Sequence, residues 1–190
     1  MTNKKAPFLH LPQMPMCFEP EKWNHPDIIR LTSCYTYALN CVEAGHKGFG
    51  TVGISQKFNL YACEEIEKQV REIQKKMGFV EGSCHAMETL DGLERIRPHS
   101  FDPEKNHILA ISFHLLHFYR LDGDGTWSHK PGLTKAVRHD IKGNTIHSLK
   151  NASLTPWIKR AGDPPFDGEA VHKIVYFRVP PQGILIAPEM

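Results

Sequence analysis

Residues 115–132, which read LLHFYRLDGDGTWSHKPG, constrain the fold more than any other stretch of this chain. Asp122-Gly123-Asp124-Gly125 is a turn signal between an arm dense in Leu, Phe and Tyr and a return arm at 126–130. A hairpin of this kind commits the chain to an antiparallel sheet, and each arm carries a histidine, His117 and His129. Antiparallel partners have residue numbers with a constant sum. An odd-numbered loop centred on Gly123 sets the two histidines opposite each other on one face. A two- or four-residue loop opposes His117 to Lys130 and turns His129 away.

The remaining elements divide into a helical first half and a β-rich second half. Residues 1–27 are rich in Pro and Met and have no period, so they read as an extended lead-in lying along the surface. Residues 28–190 are the right size for a single domain with its own core. From Asp27 the pattern turns helical, and Thr32 or Ser33 can cap a segment that Cys34 opens. Gly45, Gly48, Gly50 and Gly53 make a loop. Ile66, Val70, Ile73 and Met77 then recur at helical spacing until Gly78, which predicts an amphipathic helix over 62–77. After Gly82 the character changes to β. The apolar run at 107–121 exceeds the usual strand length and predicts a bulge or kink near 112–116. A further strand is expected at 173–179, with 183–187 pairing at an edge. Helices first and strands afterwards give an α+β fold on an antiparallel sheet.

Composition narrows the function classes. The formal net charge is +2 and Lys and Arg are scattered, which argues against nucleic acid. Five cysteines without a C-x-x-C pair read as free thiols of a reducing compartment. Pro7, Pro12 and Pro15 interrupt every apolar run that could serve as a secretory signal, and no segment approaches the roughly 18 apolar residues of a membrane span. The expectation is a protein made in the cytoplasm, without membrane insertion, that reaches any other site by a signal-independent route. Twelve histidines show no H-E-x-x-H and no compact Cys/His spacing, so neither a metal nor a cofactor is expected. Asp122-x-Asp124-Gly125 lacks the later ligands of a calcium loop and reads as a turn.

Cys34 gives the hairpin its chemical interest. A thiol attacks an acyl carbon as thiolate, which peptide N–H groups at a helix start and a nearby imidazole both favour. Cys34 has the first in its sequence context, His117 can supply the second, and His129 can fix the tautomer of His117. Cys41 is the rival thiol and His114 the alternative base. Cys17, Cys63 and Cys84 read as structural. Tyr35 and Trp127 are candidate substrate contacts, with packing as the plainer reading.

Cys34-Tyr35-x-Tyr37-Ala38-x-Asn40, Asp91-Gly92-Leu93, the hairpin from His117 to Gly132 and Gly143-Asn144-x-Ile146 together resemble a group of bacterial and phage proteins. That group is placed among the papain-like cysteine hydrolases, near the NlpC/P60 class. The resemblance spans roughly residues 33–150. It implies N-terminal helices packed on an antiparallel sheet, with Cys34 as nucleophile, His117 as base and then acid, and His129 as orienter. It further implies amide hydrolysis in a peptide, a peptidoglycan stem or a protein substrate, without a cofactor. Glutamine deamidation or transamidation uses the same thiol and histidine. A non-catalytic binding module on the same scaffold is the alternative from another class.

Overall fold

The apolar runs at 108–112, 117–121 and 174–178 form the centre of a five-stranded antiparallel sheet. The computed structural model describes residues 8–12, 14–42, 60–112, 117–132, 134–154 and 173–186. Strands β2 (Glu94–Ile96), β3 (Ile108–Ser112), β4 (His117–Leu121), β5 (Trp127–His129) and β6 (Ile174–Arg178) lie in the order β2-β6-β3-β4-β5. A two-stranded ribbon pairs β1 (Phe8–His10) with β7 (Ile184–Ile186). The helices are α1 (Pro20–Trp23), α2 (Pro26–Ile29), α3 (Cys34–Ala38), α4 (Leu60–Met77) and α5 (Phe79–Thr89). The protein is therefore α+β with an antiparallel sheet.

The run at 107–121 is two strands rather than one bulged strand. β3 and β4 pair antiparallel, with Ser112 opposite His117 and Leu109 opposite Arg120. Every residue of both strands is buried. A strand covered on both faces shows no polar alternation, so its reversal leaves little trace in hydropathy.

Alternate residues point into two layers. Leu109, Ile111, Phe118, Val175 and Phe177 pack against Cys34, Tyr35, Leu39, Val70, Cys84 and Met87 of the helical layer. On the other face Ile108, Ala110, Tyr119, Leu121, Trp127 and Tyr176 pack against Ile146 and Leu149. The lead-in takes part in this packing instead of lying along the surface. Phe8–His10 pairs with β7, and Met16 and Trp23 are buried.

The β character does not begin at Gly82. Gly78, at φ 82°, ends α4, but α5 runs straight through Gly82. A Cβ at Gly82 would stand 2.6 Å from Gln74 Cα and 2.8 Å from Gln74 N, so this glycine lets two helix backbones touch. Gly82→Val is expected to cost about 1–3 kcal/mol by overpacking this crossing, read as a lower urea midpoint. An unchanged midpoint would mean that the crossing can open freely. The expected loop with Gly45, Gly48, Gly50 and Gly53 lies outside the described residues.

Candidate active site

Ser33 sets the position of Cys34. Its hydroxyl accepts from the Thr36 N–H at 3.2 Å, and the Thr36 hydroxyl accepts from the Ser33 N–H at 2.8 Å. This capping box makes Cys34 the first residue of α3. Burial pushes the Cys34 thiol up. The N–H groups of Phe118, Tyr35 and Cys34 itself oppose that shift, as does the Lys130 ammonium.

Strand register explains why Phe118 serves the sulfur. The Asp122 N–H donates to Thr126 C=O at 2.9 Å, so the N–H groups of alternate β4 residues, Phe118 included, face β5. Tyr119 lies opposite His129, which places Phe118 opposite Lys130, one residue past the end of β5. From there the Phe118 N–H favours the Cys34 thiolate.

The two histidines meet on the sheet face that carries Tyr119. The hairpin closes around residues 123–125, with Asp122 and Thr126 as the last pair. The loop is odd, but centred on Asp124 instead of Gly123. His117 and His129 are therefore diagonal neighbours on one face, joined Nε2 to Nδ1 at 2.9 Å. His129 Nε2 stands 3.2 Å from the His139 carbonyl. A carbonyl only accepts, so Nε2 of His129 carries the proton and its Nδ1 accepts from Nε2–H of His117. That chain leaves the lone pair of His117 on Nδ1, which is buried and has no hydrogen-bond partner among the described residues, the Cys34 thiol included. Burial pushes His117 well below the usual imidazole range, and the charges of His129 and Lys130 push the same way. Burial likewise lowers His129 to about 4. Both imidazoles are neutral at physiological pH.

Two further devices hold α3 on the sheet. Arg120, fully buried, donates to Asp122 Oδ1 (3.1 Å), Asn40 Oδ1 (3.0 Å), Cys17 C=O (3.0 Å) and the Tyr37 hydroxyl (3.2 Å). Tyr37 in turn donates to Ser128 Oγ at 2.7 Å. At the far end of α3, His107 Nε2 lies 2.8 Å from Ala38 C=O and His10 Nε2 lies 2.6 Å from Leu39 C=O. Both imidazoles thus donate to carbonyls that the helix leaves open.

The chain is 30% identical over 141 residues to insoluble matrix shell protein 1 of Ruditapes philippinarum, a match covering 74% of this chain and 82% of that protein. It belongs to the insoluble matrix shell protein 1 family. No family model and no solved structure matches it. No helix among the described residues of this family member is long and apolar enough to cross a membrane.

Within this insoluble matrix shell protein 1 family member, the other expected site residues are placed as follows. Tyr35 is a buried core residue: its hydroxyl donates to Asp91 Oδ2 at 2.8 Å and its ring lies 4.6 Å from that of Phe118. Trp127 is also packing, wedged between Phe101 and Tyr176 on the second layer. Cys41 and Cys84 are buried and Cys17 is exposed. His114 and the side chain of Cys63 lie outside the described residues. The Asp122–Asp124 pair serves the turn: Asp124 Oδ1 accepts from the Thr126 N–H and hydroxyl, while Arg138 Nη1 reaches Asp124 Oδ2 at 2.8 Å. Sequence reasoning missed Arg120 and Lys130, which look like solvated charges, and Tyr119, whose buried hydroxyl has no partner among the described residues.

Proposed function

We propose that this protein is a papain-like cysteine hydrolase in which Cys34 attacks an amide carbonyl and His117 moves the proton. The observation that carries this reading is the hydrogen-bond chain from His139 C=O through His129 to His117. It leaves a neutral base with its lone pair on Nδ1, one residue from the peptide N–H that serves the Cys34 sulfur. The thiol gives its proton to His117 Nδ1 as sulfur bonds to the acyl carbon. His117 then protonates the departing nitrogen, which breaks the amide and leaves a thioester. Water adds to the thioester with His117 taking its proton, and the thiol returns. The free Nδ1 tightens onto sulfur and substrate during this cycle, since catalytic hydrogen bonds are commonly long before substrate binds. The substrate class is a peptide, peptidoglycan stem or protein amide, with glutamine transamidation differing only in the acceptor.

A 4-nitrophenyl ester tests the reading directly. A burst of about one acyl group per chain, located on Cys34 by peptide mass spectrometry, is the expected result. Cys34→Ala abolishes it and His117→Ala slows it about 10²–10⁴-fold. The rate should climb with pH from neutrality toward pH 9 with no maximum near 6. Burial raises the thiol above its ordinary 9.0, and His117, pushed down, stays neutral throughout. Acylation spread over Cys17 and Cys34 alike, and unaffected by His117→Ala, would sink the hydrolase.

One observation favours a second reading. Cys34, His117 and His129 are only 6%, 3% and 1% exposed, and the relative is named as an insoluble matrix protein of shell. A non-catalytic scaffold in such a matrix would keep this fold and give no acyl adduct.

A further inference from the structure

A buried ammonium without a carboxylate partner is costly unless an anion stands near it. Lys130 is such a group. Its side chain is fully buried, and Nζ donates to the carbonyls of Ile29 (3.1 Å), Thr32 (2.8 Å) and Gly132 (2.5 Å). Those bonds occupy all three donors of an ammonium. Lys130 is thus held in place by three carbonyls, with no donor left for a reacting group. Ile29 and Thr32 belong to the turn that leads into α3, and Thr32 lies two residues before Cys34. The hairpin register brings Lys130 opposite Phe118, whose N–H turns to the Cys34 sulfur.

We propose that Lys130 is a positioning residue that pins the segment before Cys34 to the end of β5 and supplies the counter-charge of the thiolate. The proposal rests on reading Cys34 as the nucleophile. The titratable groups in the field of Lys130 are Cys34, whose thiolate it favours, and His117, whose protonated form it opposes. Burial lowers Lys130 itself to about 8, with the upward pull of Cys34 already included. An imidazolium at His117 would face Lys130 and the His129 ring with, among the described residues, no carboxylate hydrogen-bonded to any of the three.

The test is peptide-resolved alkylation of the folded full chain by iodoacetamide, followed from about pH 6 to 10, with exposed Cys17 as internal reference. Lys130→Met is expected to raise the labelling midpoint of Cys34 by about one pH unit or more, roughly tenfold slower labelling at pH 8. Lys130→Arg, which keeps the charge, recovers most of that shift, and His117→Gln moves the midpoint by only a few tenths of a unit. An unchanged midpoint in Lys130→Met overturns the proposal. Should Lys130→Met not fold, Lys130→Gln is read in the same way, a raised midpoint upholding the proposal and an unchanged one overturning it, while a rise of a full unit in His117→Gln makes the imidazole the counter-charge and overturns it. Alkylation needs no turnover, so failure of the hydrolase reading is seen separately, as a missing acyl adduct beside an intact Lys130 shift.

Discussion

Replacing Arg120 with leucine is expected to lower the unfolding free energy by about 3–5 kcal/mol, the cost of breaking a buried ion pair from one side. Arg120 is fully buried, and four acceptors converge on its guanidinium from the lead-in, from α3 and the residues just after it, and from the turn after β4. The guanidinium also sits 4.4 Å from the centre of the Tyr37 ring. Leucine strands the Asp122 carboxylate in the core. Burial already pushes that carboxyl up, against the pull of Arg120, Arg138 and Ser128. Arg138 Nε approaches Asp122 Oδ2 only to 3.4 Å, a charge contact without hydrogen-bond geometry. Arg120→Lys should recover less than half of the loss, because one ammonium cannot reach the acceptors that a planar fork spans. Arg120→Leu combined with Asp122→Leu should be less unstable than Arg120→Leu alone, since the orphaned charge is gone. Urea unfolding followed by tryptophan fluorescence measures all three. A loss below about 1 kcal/mol for Arg120→Leu would mean that water replaces the guanidinium.

Arg120 also shows why part of the site was hidden in the sequence. The acceptors Asn40 and Tyr37 lie 80 and 83 residues away, and Lys130 reaches Ile29 across 101. A charged residue whose partners are that distant reads as a solvated face, because hydropathy sees only its neighbours. Local chemistry was legible. Ser33 announced the cap and Cys34 the helix start, and Asp-Gly-Asp-Gly announced the hairpin. Its register was not legible, because glycine at both 123 and 125 permits two odd loops. Asp124 selects between them by bonding the Thr126 N–H and hydroxyl, with Gly125 at φ 80°. Pairing of His117 with His129 needed only that the loop be odd, so that expectation survived a shifted centre.

The pairing carries a consequence for stability as well as for chemistry. A histidine kept neutral by burial binds a proton in the unfolded chain before it does so in the folded one. Here His107 is lowered to about 3, His129 to about 4, and His117 well below its ordinary 6.5, in each case chiefly by burial. Below pH 6.5 the unfolded state therefore binds more protons, and stability falls with falling pH until the folded sites titrate. At pH 5 His107 and His129 each remove about 2 kcal/mol relative to neutrality, and His117 adds to the same side. That sum is comparable to the whole stability of a domain, about 5–15 kcal/mol. Asp122 acts in the opposite sense, because its carboxyl is raised, and offsets part of the loss at lower pH. Acid unfolding is thus expected to set in near pH 5, where ordinary carboxylates are still largely ionised. Urea titrations from pH 8 to 5 should show a slope approaching three protons near pH 5.5. His107→Gln, whose amide can still donate to Ala38 C=O, should remove one of them. A free energy that stays flat from pH 7 to 5, or a slope unchanged in His107→Gln, would show that these imidazoles are protonated in the folded protein. The neutral His139–His129–His117 chain, and the free Nδ1 it leaves on His117, would then be lost with them.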